Sequence, residues 1–201
     1  MVLIRPRADH DLPACAALVR AVHAADRYPR YLPPDLGNFL APPAPYGFWI
    51  AELSGKEAGG ETGKETAGQH TGGGDEVTGD TASTEIAGHV ALVARSMPSV
   101  MAVASAALGR PEAQLAVVAR LFVSPRARGR GAGRLLLGAA TAEAAARGLH
   151  PVLDVDTELS SAIALYESAG WTRAGVVTVR FGDGDRVLNE YVYVGPDPGG
   201  R

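Results

Sequence analysis

LAVVARLFVSPRARGRGAGR, residues Leu115–Arg134, is the stretch on which the reading of this chain turns. Leu115–Val123 is apolar almost throughout, as a strand buried on both faces is. Ser124-Pro125 ends that run. Three arginines (Arg126, Arg128, Arg130) and three glycines (Gly129, Gly131, Gly133) come next, and a helical pattern then sets in. The first N–H groups of a helix lack partners within it, and the helix dipole favours negative charge there. Glycines admit a ligand close to the backbone, and guanidinium forks suit phosphate oxygens. The stretch therefore predicts a pyrophosphate-binding turn where a central strand passes into a helix.

A P-loop ends in Gly-Lys-Ser/Thr, whereas Gly133-Arg134-Leu135 stands here, which excludes it. The dinucleotide fingerprint wants glycine at its first, third and sixth positions. Gly129 and Gly131 fit it, Arg134 takes the place of the last glycine, and Asp154 could serve a ribose, so that reading is weakened without being excluded. A third pattern fits better. Arg128-Gly129-Arg130-Gly131-Ala132-Gly133 resembles the Arg/Gln-x-x-Gly-x-Gly/Ala signature of GNAT N-acetyltransferases, which cradles the pyrophosphate of acetyl-coenzyme A. The context agrees: Phe122-Val123-Ser124-Pro125 resembles the step that precedes the signature in that family. Val152–Val155 and Ala162–Ala169, with Tyr166 leading to Gly170-Trp171, resemble the strand and helix on its C-terminal side. The resemblance runs from about Val2 to Val194 and is strongest over Leu115–Trp171.

The chain has 201 residues, a net charge of −3 and 46% hydrophobic residues. One globular domain is expected, long enough to bury a core, and a generic nucleic-acid partner is not. All nineteen basic residues but Lys56 and Lys64 are arginines, so arginine abundance alone carries little weight. Cys15 is the single cysteine, on the apolar face of a predicted helix; it excludes an intrachain disulfide and reads as a core residue. No metal site is indicated. No leading apolar segment or membrane-length stretch is visible, so a cytoplasmic protein without a membrane partner is expected.

In chain order, Val2–Arg7 reads as a strand, and Leu12, Cys15, Leu18, Val19 and Val22 recur at helical spacing. The Pro- and Tyr-rich stretch 26–45 contains a short helix near Asp35–Leu40. Asp26, Tyr28 and Tyr31 in it are candidates for an acceptor pocket, or for simple loop packing. Tyr46–Leu53 and Ile86–Val93 read as strands, the first with Phe48 and Ile50 on one face and Trp49 and Ala51 on the other. Between them, Ser54–Glu85 has no aromatic residue and too little apolar surface to order itself. A flexible insertion at about 54–85, with a solvated His70, is expected. Val100–Leu108 suits a helix that covers the acceptor site or forms a dimer contact. Gly133–Arg147, Pro151–Asp156 and a helix from Ser160 or Ser161 to Ala169 come after it, with parallel pairing of the strands they link. Thr172–Phe181 and Val187–Val194 form a closing hairpin. The fold class expected is α/β: a mixed twisted sheet of about six to seven strands with flanking helices, GNAT-like, in one domain over 1–195 with a flexible tail at 196–201.

The resemblance implies a function: transfer of an acetyl or other short acyl group from acetyl-CoA to a primary amine, on a small molecule or a peptide, by direct attack. A non-catalytic acyl-CoA-binding module and a dinucleotide-binding enzyme are the alternatives. Implied cofactor contacts are Arg128, Gly129, Arg130, Gly131, Ala132, Gly133 and Arg134 at the pyrophosphate, and the backbone of Leu121, Phe122 and Val123 near the thioester. The resemblance further implies a splay of the central strands, with a bulge near Ala119–Leu121 that frees those amides. It places Tyr166 as the general acid for the departing thiolate; a tyrosine pKa of about 10 suits that task. The family's strand glutamate is missing, since Val118, Ala119 and Arg120 hold no carboxylate. His89, which matches a Gly-His step of the family, Glu112 or a water relay are left as bases. Leu159 stands where an asparagine often contacts the cofactor. Asp154 and Asp156 share one strand face, either to attract a cationic acceptor or to end the strand in solvent. A homodimer is common for such folds.

Overall fold

The computed structural model describes residues 1–54, 84–181 and 186–197. The expected insertion lies outside them over 55–83, as do His70, the hairpin turn at 182–185 and the end of the tail at 198–201. The elements are β1 (Val2–Pro6), α1 (Leu12–Asp26), α2 (Leu36–Leu40), β2 (Pro45–Ser54), β3 (Thr84–Val93), α3 (Pro98–Leu108), β4 (Leu115–Val123), α4 (Ala132–Ala146), β5 (His150–Asp156), α5 (Ser160–Ser168), β6 (Thr172–Phe181) and β7 (Arg186–Val194). The seven strands form one sheet in the order β1-β2-β3-β4-β5-β7-β6. All pairs are antiparallel except β4–β5. The strand–helix–strand unit β4-α4-β5 supplies the parallel pair expected from its helical crossover.

That parallel pair is short. Only Leu115, Ala116 and Val117 pair with β5, opposite His150, Pro151 and Val152. On its other edge, β5 pairs with β7 from Val152 to Asp156. Beyond Val117 the two central strands part, which is the splay the resemblance implied. A bulge accompanies it: Ala119 pairs with Ala91 and Phe122 with His89, so Arg120 and Leu121 together face Val90. Arg120 has φ +54°, a left-handed conformation that costs a non-glycine residue about 1 kcal/mol or more. Three contacts hold it there. The Arg120 carbonyl meets His89 Nδ1 at 3.0 Å, its Nε donates to the Phe39 carbonyl at 2.9 Å, and its guanidinium lies 4.4 Å from the Phe39 ring centroid.

Alternation along the strands assigns each side chain to a face. On one face α4 buries Leu136, Leu137, Ala140 and Ala144 against Ala51, Val90, Leu92, Val118, Leu153 and Val155, with Tyr166 of α5 in the same cluster. On the other, α3 buries Val100, Met101 and Ala104 against Ala91, Val93, Val117, Val152 and Val192. On that second face α1 buries Cys15, Leu18, Val19 and Val22 against Ile50 and Phe122. Burial pushes the Cys15 thiol up to about 11, so it stays an unreactive core group.

At the sheet edge, Arg5 of β1 ties three elements. It donates to both Asp11 oxygens, at 2.7 and 2.9 Å, and to Glu52 of β2 at 2.7 Å. The Ala8 N–H also donates to Asp11, at 2.7 Å. Arg5 is the chief cause holding the Asp11 carboxyl down at about 2. Asp11→Ala is expected to cost about 1–2 kcal/mol in urea unfolding near neutral pH, after discounting the solvent-exposed side of Arg5. A stability equal to wild type would show that the staple carries no weight.

Candidate active site

Where β4 and β5 part, the sheet opens into a cavity of about 1040 Å³. Its wall draws on both faces of the sheet. From the α4 side come Gly129, Gly131, Ala132, Gly133, Arg134, Leu159, Ala162, Leu165 and Tyr166. From the α1 and α3 side come Tyr28, Phe39, Ser96, Met97, Arg120, Asp154, Asp156, Leu188 and Glu190. The end of β4, Leu121–Val123, lies between the two.

The turn into α4 has the form the sequence predicted. Gly129 has φ +72° and Gly131, at the helix N-cap, φ +80°, conformations that glycine adopts without strain. The N–H groups of Ala132, Gly133 and Arg134 have no partner within the helix, and among the described residues no N-cap side chain takes one up. A Cβ on Gly129 or Gly131 would meet nothing within 4 Å, so the turn faces open space. Gly133 differs: a Cβ there would stand 3.2 Å from Leu165 and 3.6 Å from Val123, so its absence lets α4 begin tight against β4 and α5.

The arginines divide. Arg128 lines the cavity and is ion-paired with Asp26, the last residue of α1, with one bond at 3.0 Å and a second, shorter one between Nη2 and Oδ2. Arg134 lines the cavity and donates to Ser168 Oγ at 2.8 Å and to its carbonyl at 3.3 Å. Arg130 is exposed and is not among the residues of the cavity wall. On the β3 edge of β4, away from the gap, the Ser124 N–H donates to the Ala87 carbonyl at 2.7 Å. By alternation the Val123 N–H points the other way, into the space that β5 has left.

Tyr166 sits on α5 with 6% of its surface exposed, its ring 6.1 Å from both Trp171 and Tyr193. It lines the cavity, and burial holds its hydroxyl above the ordinary tyrosine range, hence protonated. Tyr28, its ring 6.2 Å from Phe122, is pushed up by burial to about 12.

His89 is not brought to the cavity. It is fully buried on the α1 face and stacked on Phe122 at 5.2 Å. Arg7 Nη1, which can only donate, lies 3.1 Å from His89 Nε2. Nε2 therefore accepts, and Nδ1 carries the proton given to the Arg120 carbonyl. Desolvation, aided by the Arg7 and Arg120 charges, lowers the ring to about 4. With both nitrogens engaged and no open side, His89 braces the bulge. Glu112 is likewise absent from the wall: it is exposed, in the turn before β4, at the closed end of the strand pair.

The sequence reading missed Glu190. Leu188, Glu190 and Val192 alternate onto one strand face, and a carboxylate between two buried aliphatics was the available signal. Asp154 and Asp156, undecided in sequence, face the cavity rather than bulk solvent. Asp154 accepts from Ser96 Oγ at 3.0 Å, and its burial raises its carboxyl. Among the described residues, no helix is long and apolar enough to cross a membrane, and no His/Cys/Asp/Glu group could hold a metal ion.

No curated protein matches the sequence. Among solved structures, the ribosomal-protein-S18-alanine N-acetyltransferase of Escherichia coli superimposes with a TM-score of 0.59 at 18% identity, over 98% of this chain and 94% of that one. An N-acetyltransferase from Staphylococcus aureus gives 0.61 at 18%, over 98% and 99%. Arabidopsis thaliana NAA60 in complex with acetyl-CoA gives 0.62 at 16%, over 96% and 97%. At these identities the likeness establishes the fold. The model of the acetyltransferase (GNAT) family matches residues 72–171, which contain β3, β4, the glycine turn, α4, β5 and α5 up to Trp171. The chain therefore belongs to the GNAT family and is an acyltransferase of that type.

Proposed function

We propose that residues 1–195 act as one catalytic unit that transfers an acetyl group from acetyl-CoA to a primary amine by direct attack. The observation that carries this reading is the two-faced cavity at the splay. It joins a helix N-terminus with free amides to a second compartment through the gap beside β4. The diphosphate would lie on the amides of Ala132–Arg134 and against Gly129 and Gly131. Arg128 and Arg134 would supply positive charge, Arg128 after sharing or leaving Asp26. Bound so, acetyl-CoA would supply an activated thioester at the gap. The Val123 N–H, pointing into that gap, would stabilise negative charge on the carbonyl oxygen; one such pre-aimed donor contributes about 3 kcal/mol. Tyr166 would then give its proton to the departing sulfur.

A peptide N-terminus and a small amine both fit the acceptor compartment by charge, since Asp154, Asp156 and Glu190 face it. The S18-alanine acetyltransferase named above acts, by its name, on a ribosomal protein, which favours including peptides among the acceptors tried.

Gly131→Val tests the cofactor half. A β-branched side chain at φ +80° is strained by about 1–3 kcal/mol and places methyl groups where the diphosphate would lie. Calorimetry should show acetyl-CoA binding weakened by at least about tenfold, or about 1.4 kcal/mol, while the melting temperature reports the strain separately. Undiminished binding would place the diphosphate elsewhere.

A further inference from the structure

We infer that Glu190 of β7 is the group that receives the acceptor's ammonium and takes a proton from it, with Asp154 and Asp156 setting its charge. This deepens the acyl-transfer reading above and rests on it. Three observations converge. Glu190 lines the cavity on its α1 and α3 side, yet is only 8% exposed. Its Oε2 is buried and has no hydrogen-bond partner among the described residues. A desolvated, unpaired carboxylate oxygen is costly unless something it faces repays it, and a bound ammonium is the complementary group. The pairing of β5 with β7 sets Glu190 directly opposite Asp156, with Asp154 two residues along the same face. Like charges opposite one another repel, and among the described residues no cation pairs with Glu190 to offset this.

The other groups on this compartment do not fill that role. Asp154 is occupied by Ser96 at 3.0 Å. Asp156 has Arg30 Nε at 3.9 Å, while Arg30 Nη2 is committed to Glu158 at 2.6 Å. Arg120 of β4 lines the cavity across the gap and its charge acts on Asp154, while its Nε is held by the Phe39 carbonyl. Tyr28, from the loop after α1, and Tyr166, from α5, present protonated hydroxyls. Burial first, then Asp154 and Asp156, push the Glu190 carboxyl up to about 7. A carboxylate so poised is a far better proton acceptor than an ordinary one.

In the step itself, the acceptor R–NH3⁺ gives one proton to the Glu190 carboxylate. The freed nitrogen pair forms a C–N bond to the thioester carbon, and the carbonyl electrons move to oxygen. As they return, the C–S bond breaks. The sulfur takes a proton from Tyr166, which recovers one from the new amide nitrogen, and Glu190 releases its proton to water.

The test uses the full chain, acetyl-CoA and a panel of ethanolamine, glycinamide and short peptides with free N-termini. For wild type, kcat/KM should rise with pH along an acid limb centred at about 7. Glu190→Gln should lose about 10- to 100-fold near pH 8, with the limb moved to the acceptor's own pKa and acetyl-CoA affinity retained. Asp156→Asn should shift the limb to lower pH, an effect that loss of packing does not produce. Should Glu190→Gln fold poorly, ¹³C-carboxyl titration of the wild type must find a glutamate near 7 that responds to Asp156→Asn. Full rate and an unmoved limb in a Glu190→Gln protein that binds acetyl-CoA would overturn the assignment. Failure of wild type to bind acetyl-CoA would remove the acyl-transfer reading first, and this one with it.

Discussion

Replacing Tyr166 with phenylalanine is expected to lower kcat by about 10²- to 10³-fold while acetyl-CoA affinity stays within about twofold of wild type. The expectation comes from how the ring is held. Tyr166 packs between Trp171 and Tyr193, and those contacts belong to the ring, which phenylalanine keeps. The hydroxyl lines the cavity and makes no hydrogen bond to the described residues, so its removal strands no partner. Folding stability should therefore be unchanged, and any loss of rate must be chemical. Burial keeps the group protonated through the working pH range, which fits a donor to thiolate and not a base. It also means that an alkaline limb in the rate profile cannot be assigned to Tyr166. Stopped-flow release of free thiol, alongside calorimetric binding, separates the two outcomes. An unchanged kcat would reduce Tyr166 to a packing residue beneath the cofactor.

The glycine turn and the start of α4 could be read from the chain because their determinants are local. The apolar run of β4, the Ser124-Pro125 stop, the positive-φ glycines and the first turn of α4 succeed one another in sequence, and backbone geometry does the rest. That Tyr166 lies on α5 could be read for a similar reason, since Gly170 four residues on marks where that helix must stop. The carboxylate-lined side of the cavity is non-local. Glu190 meets Asp156 only because β7 inserts between β5 and β6, and nothing in the hairpin's own residues says which of its strands joins β5. His89 shows the same limit from the other side. Its place in a Gly-His step on a half-apolar strand made it a candidate base. What decides is Arg7 arriving from β1's end and the bulge carbonyl arriving from β4, partners far away in the sequence. Arg128 was expected on phosphate, and its ion pair with Asp26 likewise depends on where α1 ends in space.

Those partners make His89 an acid-sensitive brace, and acid should reveal it. In the unfolded chain its imidazole titrates at about 6.5; in the fold desolvation lowers it to about 4. Between those values the unfolded state binds the extra proton and the folded state does not, so stability falls as pH falls. The contribution is complete above about pH 6.5, is lost by about pH 4, and amounts to about 3 kcal/mol. Glu190 works in the opposite sense over much of this window. Its raised carboxyl takes up a proton in the fold before it does in the unfolded chain, so the total stability curve mixes both signs. The clean quantity is a difference. His89→Gln keeps a donor for the Arg120 carbonyl and an acceptor for Arg7 but does not titrate. Urea unfolding of wild type and His89→Gln at pH 7 and pH 4.5 should show wild type losing an additional ~2–3 kcal/mol that the variant keeps. The Asp11 staple does not confuse the comparison, since its carboxyl, held at about 2, gives up stability only below the ordinary carboxylate range. Parallel losses in the two proteins would mean that the imidazole is reached by solvent and braces nothing. A divergence would tie acid lability to the joint that holds Arg120 left-handed, and so to the opening of β4 from β5 on which the cavity depends.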